Sequence, residues 1–367
     1  MSETNQLMST PRTVDIEITP RCNLRCSYCY FFDNPGECYE ELPAAEWLQF
    51  FEELADCRVM SVCLAGGEPF IRADLRQLLG GVVKNRMRFS LLSNGGLIDD
   101  DIAAFLATTG RCDQVQISLD GSRAEVHDVF RGRGSFAGAV RGIRTLQRHR
   151  VSVGVRLTVH RRNVGDIAAA ADFILGELGL PSFGTNAASY LGTCRSRQDD
   201  VALSLEDRFT AMEALLAAEK KYPGRILARA GPLADARTWR QMERARIDCA
   251  PAFPSCGRLT GCGCVFWRMS IRADGAMIPC TLLPHLTMGR INRDSLKEVW
   301  QKAAALAGMR DRTSMPLSES RHCAGCAYQS YCTGNCPALA YTITGEVHAP
   351  SPDSCLRDYL AAGGRIP

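Results

Sequence analysis

Short apolar runs alternate with segments of helical periodicity through the first half of the chain. The apolar runs predict strands at 13–19, 59–65, 89–92, 114–119, 151–159 and 182–188. The segments in which apolar residues recur every three or four positions predict helices at 46–57, 74–84, 99–108, 136–149 and 164–178. Repeated strand–helix units favour an α/β fold with a parallel sheet, whose functional loops lie at the carboxyl ends of the strands.

The pattern changes after about residue 220. One more helix is predicted at 206–221, and residues 221–255 are expected to form a linker. From residue 256 to residue 367, regular periodicity is weak, and Gly, Pro and Cys are frequent. This composition is typical of a small domain that bound metal stabilises in place of a large core. We therefore expect a first domain over 1–220, the linker, and a second domain over 256–367.

Composition narrows the class of protein. The 367 residues are 46% hydrophobic, enough for a substantial core, and the net charge of +3 with no long basic run does not favour nucleic-acid binding. The amino terminus lacks the apolar segment of a signal peptide, and no stretch is long and apolar enough to span a membrane. A cytoplasmic protein is expected, and there the eighteen cysteines favour metal binding or redox chemistry over disulfides.

Three cysteines follow the first predicted strand closely. Cys22, Cys26 and Cys29 form a Cys-x3-Cys-x2-Cys array. Three thiolates can hold three irons of a [4Fe–4S] cluster and leave the fourth iron open to a ligand. A zinc site would instead need four ligands, usually in two close pairs, and the next cysteine is Cys38. The spacing therefore favours an open iron–sulfur cluster.

The array, with Tyr28 just before its third cysteine, resembles the signature of the radical S-adenosylmethionine (radical SAM) enzymes. In that family, SAM binds the open iron through its amino and carboxylate groups and is cleaved reductively to a 5′-deoxyadenosyl radical. The family shares a partial (β/α)6 barrel of the TIM type. The resemblance implies this fold over roughly the first 190–220 residues.

A glycine motif follows the second predicted strand. Gly66 and Gly67 would let a ligand approach the backbone closely, and Glu68 can accept a hydrogen bond from an ammonium group. Taken alone, Gly66-Gly67-Glu68-Pro69 is also an ordinary turn between a strand and a helix. It resembles the GGEP-like motif of radical SAM enzymes, and the resemblance implies that it binds the amino group of SAM.

Other strand ends resemble further positions around SAM. The residues that the resemblance assigns to SAM binding beyond the glycine motif are Tyr28, Ser93, Asn94, Ser118, Asp120 and Arg131. The Ser and Asn side chains would bind the ribose hydroxyls, and Arg131 would contact the carboxylate. Ser, Asn and Asp are also common turn formers. For His127 a structural role is expected over a catalytic one.

The cysteine-rich end resembles the SPASM extension of radical SAM maturases, which holds two auxiliary [4Fe–4S] clusters. The resemblance implies one ligand set of Cys323, Cys326, Cys332 and Cys355. It implies a second set of Cys262, Cys280, Cys336 and a fourth ligand. Cys256 is the expected fourth ligand, Cys264 is its rival, and an open iron is the third option. Two zinc sites of the zinc-ribbon kind are the alternative to the clusters.

Cysteines outside these sets have other expected roles. Cys57 and Cys63 stand in apolar surroundings and are expected in the core. Cys194 follows the last predicted barrel strand, where it could face the active-site mouth. As a hydrogen-atom donor, Cys194 would make the protein an epimerase, but an inert thiol is expected over that role.

The resemblance implies the function. A primary radical serves to abstract hydrogen from an unactivated carbon, and the SPASM extension is typical of enzymes that act on peptides. We expect maturation of a ribosomally synthesised peptide that gives a cross-link, a thioether or an epimer. The alternatives are modification of a tetrapyrrole or another small metabolite, formylglycine maturation of a sulfatase, and a non-catalytic iron–sulfur electron carrier.

The expected partners follow from the same resemblance. They are a precursor peptide and a reductant such as flavodoxin or ferredoxin. Twelve residues precede the first predicted strand, too few for a leader-recognition domain, so a separate recognition protein or direct docking by strand addition is expected. The short entry sequence also resembles radical SAM/SPASM proteins of the SynChlorMet peptide cassettes.

Overall fold

A single sheet runs through the part of the chain that the computed structural model describes, residues 7–32 and 39–367. Its strands are β1 (Thr13–Thr19), β2 (Ser61–Gly66), β3 (Arg88–Ser93), β4 (Cys112–Ser118), β5 (Val153–Val159), β6 (Phe183–Ala187), β7 (Ile226–Ala228), β8 (Arg268–Ile271), β9 (Ala276–Ile278) and β10 (Gly289–Arg290). The spatial order is β10-β9-β8-β1-β2-β3-β4-β5-β6-β7. Neighbours from β8 through β1 to β7 are parallel, whereas β8, β9 and β10 form an antiparallel meander.

Helices follow most of the strands, and many of them share the main hydrophobic core with the sheet. They are α1 (Ala44–Asp56), α2 (Leu75–Lys84), α3 (Asp100–Thr108), α4 (Ala124–Arg131), α5 (Ser135–Arg148), α6 (Ile167–Asp172), α7 (Thr193–Ser196), α8 (Gln198–Val201), α9 (Leu205–Lys221), α10 (Pro232–Ile247), α11 (Leu296–Lys302), α12 (Ala304–Asp311), α13 (Pro337–Thr344) and α14 (Leu356–Ala361). None of these described helices is both long and apolar enough to cross a bilayer. The six predicted barrel strands are confirmed, with small shifts at their ends.

Four strands, β7 to β10, extend the sheet beyond the six predicted barrel strands. In the segment expected as a linker, β7 pairs in parallel with β6, and α10 packs beside α9. In the cysteine-rich segment, β8 pairs in parallel with β1, so that Thr13 lies opposite Arg268. The second half of the chain therefore continues the barrel sheet at both of its edges.

The two faces of the strands differ in polarity. On β1, Val14, Ile16 and Ile18 are fully buried beneath the aromatic side chains of α1. Asp15 alternates with them and faces a cavity inside the curved sheet. Because strand side chains alternate with a period of two, an apolar layer under the helices leaves a polar layer inside the barrel. Cys38 lies outside the described residues.

Candidate active site

The cysteine triad lines one end of the barrel cavity. Cys22, Cys26 and Cys29 border a space of about 580 Å³, and the inner faces of the strands form the rest of its wall. The triad loop leaves β1 at its carboxyl end, which is the end of a parallel sheet where functional loops gather. The structure therefore brings the three predicted cluster ligands together on one cavity.

A second segment supports the triad loop from behind. The Thr193 hydroxyl donates to the carbonyl oxygens of Cys26 at 3.1 Å and Cys29 at 2.9 Å. Gly192 has φ of +56°, and a Cβ there would lie 2.2 Å from the carbonyl oxygen of Phe32. Only glycine fits this close backbone contact, which fixes the loop that carries the thiols.

The sulfur environment suits iron. The Leu24 N–H lies 3.4 Å from Cys22 Sγ. Burial raises the pKa of the Cys29 thiol to about 11, although hydrogen bonds from the backbone of Phe31 and Phe32 favour its thiolate. Such N–H···S bonds stabilise thiolates bound to iron. Three thiols on one cavity with backbone donors to their sulfurs fit a [4Fe–4S] cluster.

The glycine motif packs against the triad loop. A Cβ at Gly66 would lie 2.3 Å from the carbonyl oxygen of Thr19, and one at Gly67 would lie 2.1 Å from that of Arg21. We predicted these glycines as room for a ligand, but the structure shows that they first make room for the chain leading into the triad. Pro69 begins a short 3₁₀ turn and does not line the cavity, in contrast to its predicted role in SAM binding.

Glu68 lines the cavity, with most of its acceptor capacity already in use. One carboxylate oxygen accepts from Ser93 Oγ at 2.9 Å and from Phe70 N–H at 3.2 Å, and the other accepts from Asn94 N–H at 2.8 Å. Burial raises the pKa of Glu68 to about 6. A carboxylate can accept about four hydrogen bonds, so Glu68 can still take one from an ammonium group.

The predicted Ser and Asn residues also reach the cavity. Ser93, Asn94 and Ser118 all line it. The Asn94 side chain donates to Asn23 Oδ1 at 2.8 Å, which ties the end of β3 to the triad loop. These side chains are therefore on the same cavity as the triad, and their contact with SAM stays a prediction.

Asp120 is a support for the site and not part of its surface. It is 1% exposed, lies outside the cavity lining, and accepts hydrogen bonds from Tyr28 Oη, Arg131 Nε and the Thr158 N–H. Burial opposes its ionisation, but the Arg131 charge lowers the pKa of Asp120 to about 2. The prediction that Asp120 contacts SAM is therefore corrected: it orients Tyr28 and Arg131, which do line the cavity.

His127 is structural in this arrangement. Its Nδ1 accepts from the Asp120 N–H at 3.1 Å, and the side chain is buried. Burial lowers the pKa of His127 to about 4, so the ring is neutral at pH 7. This geometry agrees with the expected structural role.

Cys194 does not face the cavity. It is fully buried in a small apolar cluster with Tyr28, Phe130 and Val201, behind the triad loop. Burial raises the pKa of its thiol to about 12. The position at the active-site mouth that the sequence allowed for Cys194 is therefore corrected: Cys194 lies in the apolar cluster, and the preceding Thr193 contacts the triad loop. This burial agrees with the expected inert thiol.

One group of four thiols forms near β8 and β9. Hydrogen bonds from the Cys264 and Cys336 thiols lower the pKa of Cys262, and the Cys264 thiol also bonds to Cys280. Cys264 therefore completes this set, and the expected fourth ligand Cys256 does not. The pairing of β8 with β1 places the 262–264 loop here, whereas Cys256 lies within electrostatic reach of Cys332 in the other group.

The second group of cysteines encloses a small cavity of about 30 Å³. The thiols on its wall belong to Cys323, Cys326, Cys332 and Cys355. This is the set that the resemblance implied, and four thiols on one small cavity could supply all four ligands of a cluster. His322 and Asp358 lie beside Cys355 as additional polar neighbours.

Several residues that line the cavity were not predicted from the sequence as site residues. They are Asp15, Cys63, Ser90, Gln114, Gln116, Arg156, Asn186, Arg268 and Thr281. Cys63 was expected in the core, yet its thiol is hydrogen-bonded to Ser90 on the polar inner face. The signal was present in the sequence, because polar residues at alternate positions of parallel strands indicate a hydrophilic interior.

Two family models match this chain. The radical SAM superfamily matches residues 16–174, and the iron-sulfur cluster-binding domain SPASM matches residues 262–327. The Fe-coproporphyrin III synthase of Methanosarcina barkeri is 31% identical over 350 residues, which cover 91% of this chain and 85% of that protein. The chain belongs to the radical SAM superfamily, is an enzyme, and carries a SPASM domain. Membership implies SAM and a [4Fe–4S] cluster, and the SPASM domain implies further iron–sulfur centres.

Peptide-related proteins are also among its relatives. The antilisterial bacteriocin subtilosin biosynthesis protein AlbA of Bacillus subtilis is 28% identical over 333 residues, covering 88% of this chain and 67% of that protein. The crystal structure of Streptococcus suis SuiB bound to precursor peptide SuiA superposes with a TM-score of 0.71 at 16% identity, over 96% of this chain and 77% of that one. At this identity the superposition shows a shared fold.

Proposed function

We propose that this enzyme modifies a ribosomally synthesised peptide within the barrel cavity. The observation that carries the proposal is the amide-rich wall, where Gln114, Gln116 and Asn186 face the cavity that the triad also lines. A peptide backbone presents amide donors and acceptors that such a wall can pair, whereas ligand sites for flat apolar molecules are mostly apolar. The triad would hold a [4Fe–4S] cluster. Together with SAM, this cluster would supply a radical that can take hydrogen from an unactivated carbon.

The position of the four-thiol group at Cys280 favours an oxidised product. Thr281, the next residue, lines the cavity. The Tyr30 phenol is hydrogen-bonded to Thr281, and the charges of Cys29 and Cys280 both act on it. An iron–sulfur cluster in this group would place an electron acceptor beside the substrate. We therefore favour a cross-link or thioether, each of which removes two hydrogens, over an epimer.

The test combines two measurements. The protein is reconstituted anaerobically with iron, sulfide, SAM and a reductant of the flavodoxin or ferredoxin type, and 5′-deoxyadenosine is quantified. The reading frames beside its gene are also searched for short precursor-like peptides, each of which is co-expressed with the enzyme before its mass is measured. We expect 5′-deoxyadenosine and a peptide lighter by two hydrogens per modification. An unmodified peptide with unchanged stereochemistry contradicts the proposal, and absence of 5′-deoxyadenosine contradicts its radical step.

A tetrapyrrole substrate is the second candidate. Identity of 31% to an Fe-coproporphyrin III synthase favours this candidate, and so does Arg156 on the cavity wall, since such substrates carry carboxylates. A titration with Fe-coproporphyrin III, followed by its absorption spectrum, separates the candidates. The peptide proposal predicts no saturable spectral change at micromolar concentrations.

A further inference from the structure

One arginine of the cavity wall lies flat against the sheet. Arg156 extends from the inner face of β5, and its guanidinium covers Gly184 of β6, at 3.4 Å from where a Cβ would stand. Gln114 lies over Gly154 in the same way, because a Cβ at Gly154 would come within 2.5 Å of the Gln114 side-chain amide. The long polar side chains therefore follow the wall and leave the space in front of them open.

Among the described residues, the Arg156 charge has no compensating anion. Its Nε and Nη2 atoms lie 3.4 and 3.3 Å from Gln116 Oε1, which are long contacts to a neutral group. Within the described part of the chain, no carboxylate oxygen lies within 4.0 Å of the guanidinium. Burial and the nearby charge of Arg229 lower the pKa of Arg156, yet a guanidinium remains protonated at pH 7.

A second arginine on the same wall provides the contrast. Arg268 also lines the cavity, but its Nη1 lies 3.4 Å from Asp15 Oδ2. One wall arginine is thus paired within the protein and the other is not. A partly desolvated cation that lacks a counter-ion among the described residues can still form an ion pair, and an anionic ligand in the cavity would supply it.

A second unsatisfied polar group lies nearby on β6. Asn186 stands two residues beyond Gly184 on the same face, opposite Thr158, and thus about 7 Å along the strand from the Arg156 level. Its Oδ1 is buried and has no hydrogen-bond partner in the described chain. Arg131 and the triad lie at the carboxyl ends of the strands, so Arg156 lies farther from the SAM end.

We propose that Arg156 binds the carboxylate of an Asp or Glu side chain in the substrate peptide, with Gln116 and Asn186 pairing amide groups beside it. The inference rests on the proposed peptide function and specifies its substrate class. A planar guanidinium binds a carboxylate through two parallel hydrogen bonds, so the site discriminates Glu from Gln of the same shape.

The experiment measures this discrimination by binding. The reconstituted protein with SAM is equilibrated by dialysis against a pool of synthetic ten-residue peptides, made in pairs that differ only by Glu or Gln at one position. Mass spectrometry gives the bound ratio of each pair. For the best-bound pairs, we expect the wild type to favour Glu about tenfold. Arg156→Lys should keep about threefold, and Arg156→Gln should give a ratio of about one.

The matched control is Arg268→Gln, which removes an arginine already paired with Asp15 and should leave the Glu preference within about twofold. Thermal melting of each variant confirms folding, and Arg156→Lys retains the charge if Arg156→Gln does not fold. A Glu preference equal in wild type and Arg156→Gln overturns the inference, as does a preference that only Arg268→Gln removes. Saturable binding of coproporphyrin III in place of any peptide also overturns it. Formation of 5′-deoxyadenosine by the wild type is measured separately. A failure of the radical function can therefore be distinguished from a failure of the carboxylate-binding inference.

Discussion

The two ends of the barrel cavity differ in how completely their polar groups are paired. At the triad end, Asp120 neutralises Arg131, and Glu68 accepts three hydrogen bonds from its own chain. On the wall, Arg156 has no carboxylate and Asn186 Oδ1 has no partner among the described residues. The triad end is therefore organised before any ligand arrives, whereas the wall keeps charge and hydrogen-bonding capacity for a ligand.

This difference has consequences for mutation. Loss of a group at the triad end breaks contacts within the protein, so stability and SAM cleavage should fall together. Loss of a group on the wall should alter substrate preference, because few contacts within the protein depend on it.

The largest effect is expected from removing a triad thiol. Cys26→Ala should abolish 5′-deoxyadenosine formation, because two thiolates do not hold the cluster. Iron content should fall from about 12 to about 8 atoms per chain if three four-iron clusters are present. Chromatography of the nucleoside and an iron assay measure both. Cys57→Ala, which alters a half-buried cysteine at the end of α1, is the control and should change neither value.

Asp120→Asn should have the next largest effect. It leaves the buried Arg131 cation uncompensated, which should reduce the free energy of unfolding by about 3–5 kcal/mol. Urea denaturation measures the change, and 5′-deoxyadenosine formation should fall with it because Tyr28 and Arg131 lose their anchor. Asp113→Asn breaks an exposed pair with Arg88 and should cost less than about 1 kcal/mol. If the two variants lost similar free energies of unfolding, the triad end would not be better organised than the rest of the molecule.

A third prediction concerns the cysteine group next to the wall. Cys264→Ser should lower iron content by up to about four atoms per chain, because it removes a thiol bonded to Cys262 and Cys280. Cys256→Ser should leave the iron of this group in place. Electron paramagnetic resonance of the reduced variants, compared with the wild type, shows which cluster signal is lost. The reverse result would restore Cys256 as the fourth ligand.

Local signals explain what the sequence could predict. The strands, the triad and the strand-end motifs are contiguous patterns in the sequence. The triad and the motifs lie at the carboxyl ends of strands, as expected. The choice between Cys264 and Cys256 depends on the pairing of β8 with β1, across about 250 residues. No local pattern carries that information.

The supporting role of Asp120 and the unpaired charge of Arg156 were not predicted from the sequence, for different reasons. Asp120 looks like a SAM contact because its strand-end position matches, but burial beneath Tyr28 and Arg131 decides its role. Arg156 alternates with apolar residues along β5, and this period of two was itself a readable sign of a polar interior. Its lack of an acidic partner among the described residues depends on tertiary structure, which no local pattern encodes.

The smallest effect is expected at Cys194, which lies behind the triad end and touches no ligand space. Cys194→Ala should leave the peptide product unchanged and cost about 1 kcal/mol of stability, because it removes one sulfur from a tight apolar cluster. Mass spectrometry of the product and urea denaturation measure the two quantities.

Cys63→Ala is the informative comparison, since Cys63 does line the cavity. If the product were an epimer, deuterium uptake from D₂O at the altered carbon should survive Cys194→Ala and be lost in Cys63→Ala. Loss in Cys194→Ala alone would give the buried thiol the donor role that its position argues against.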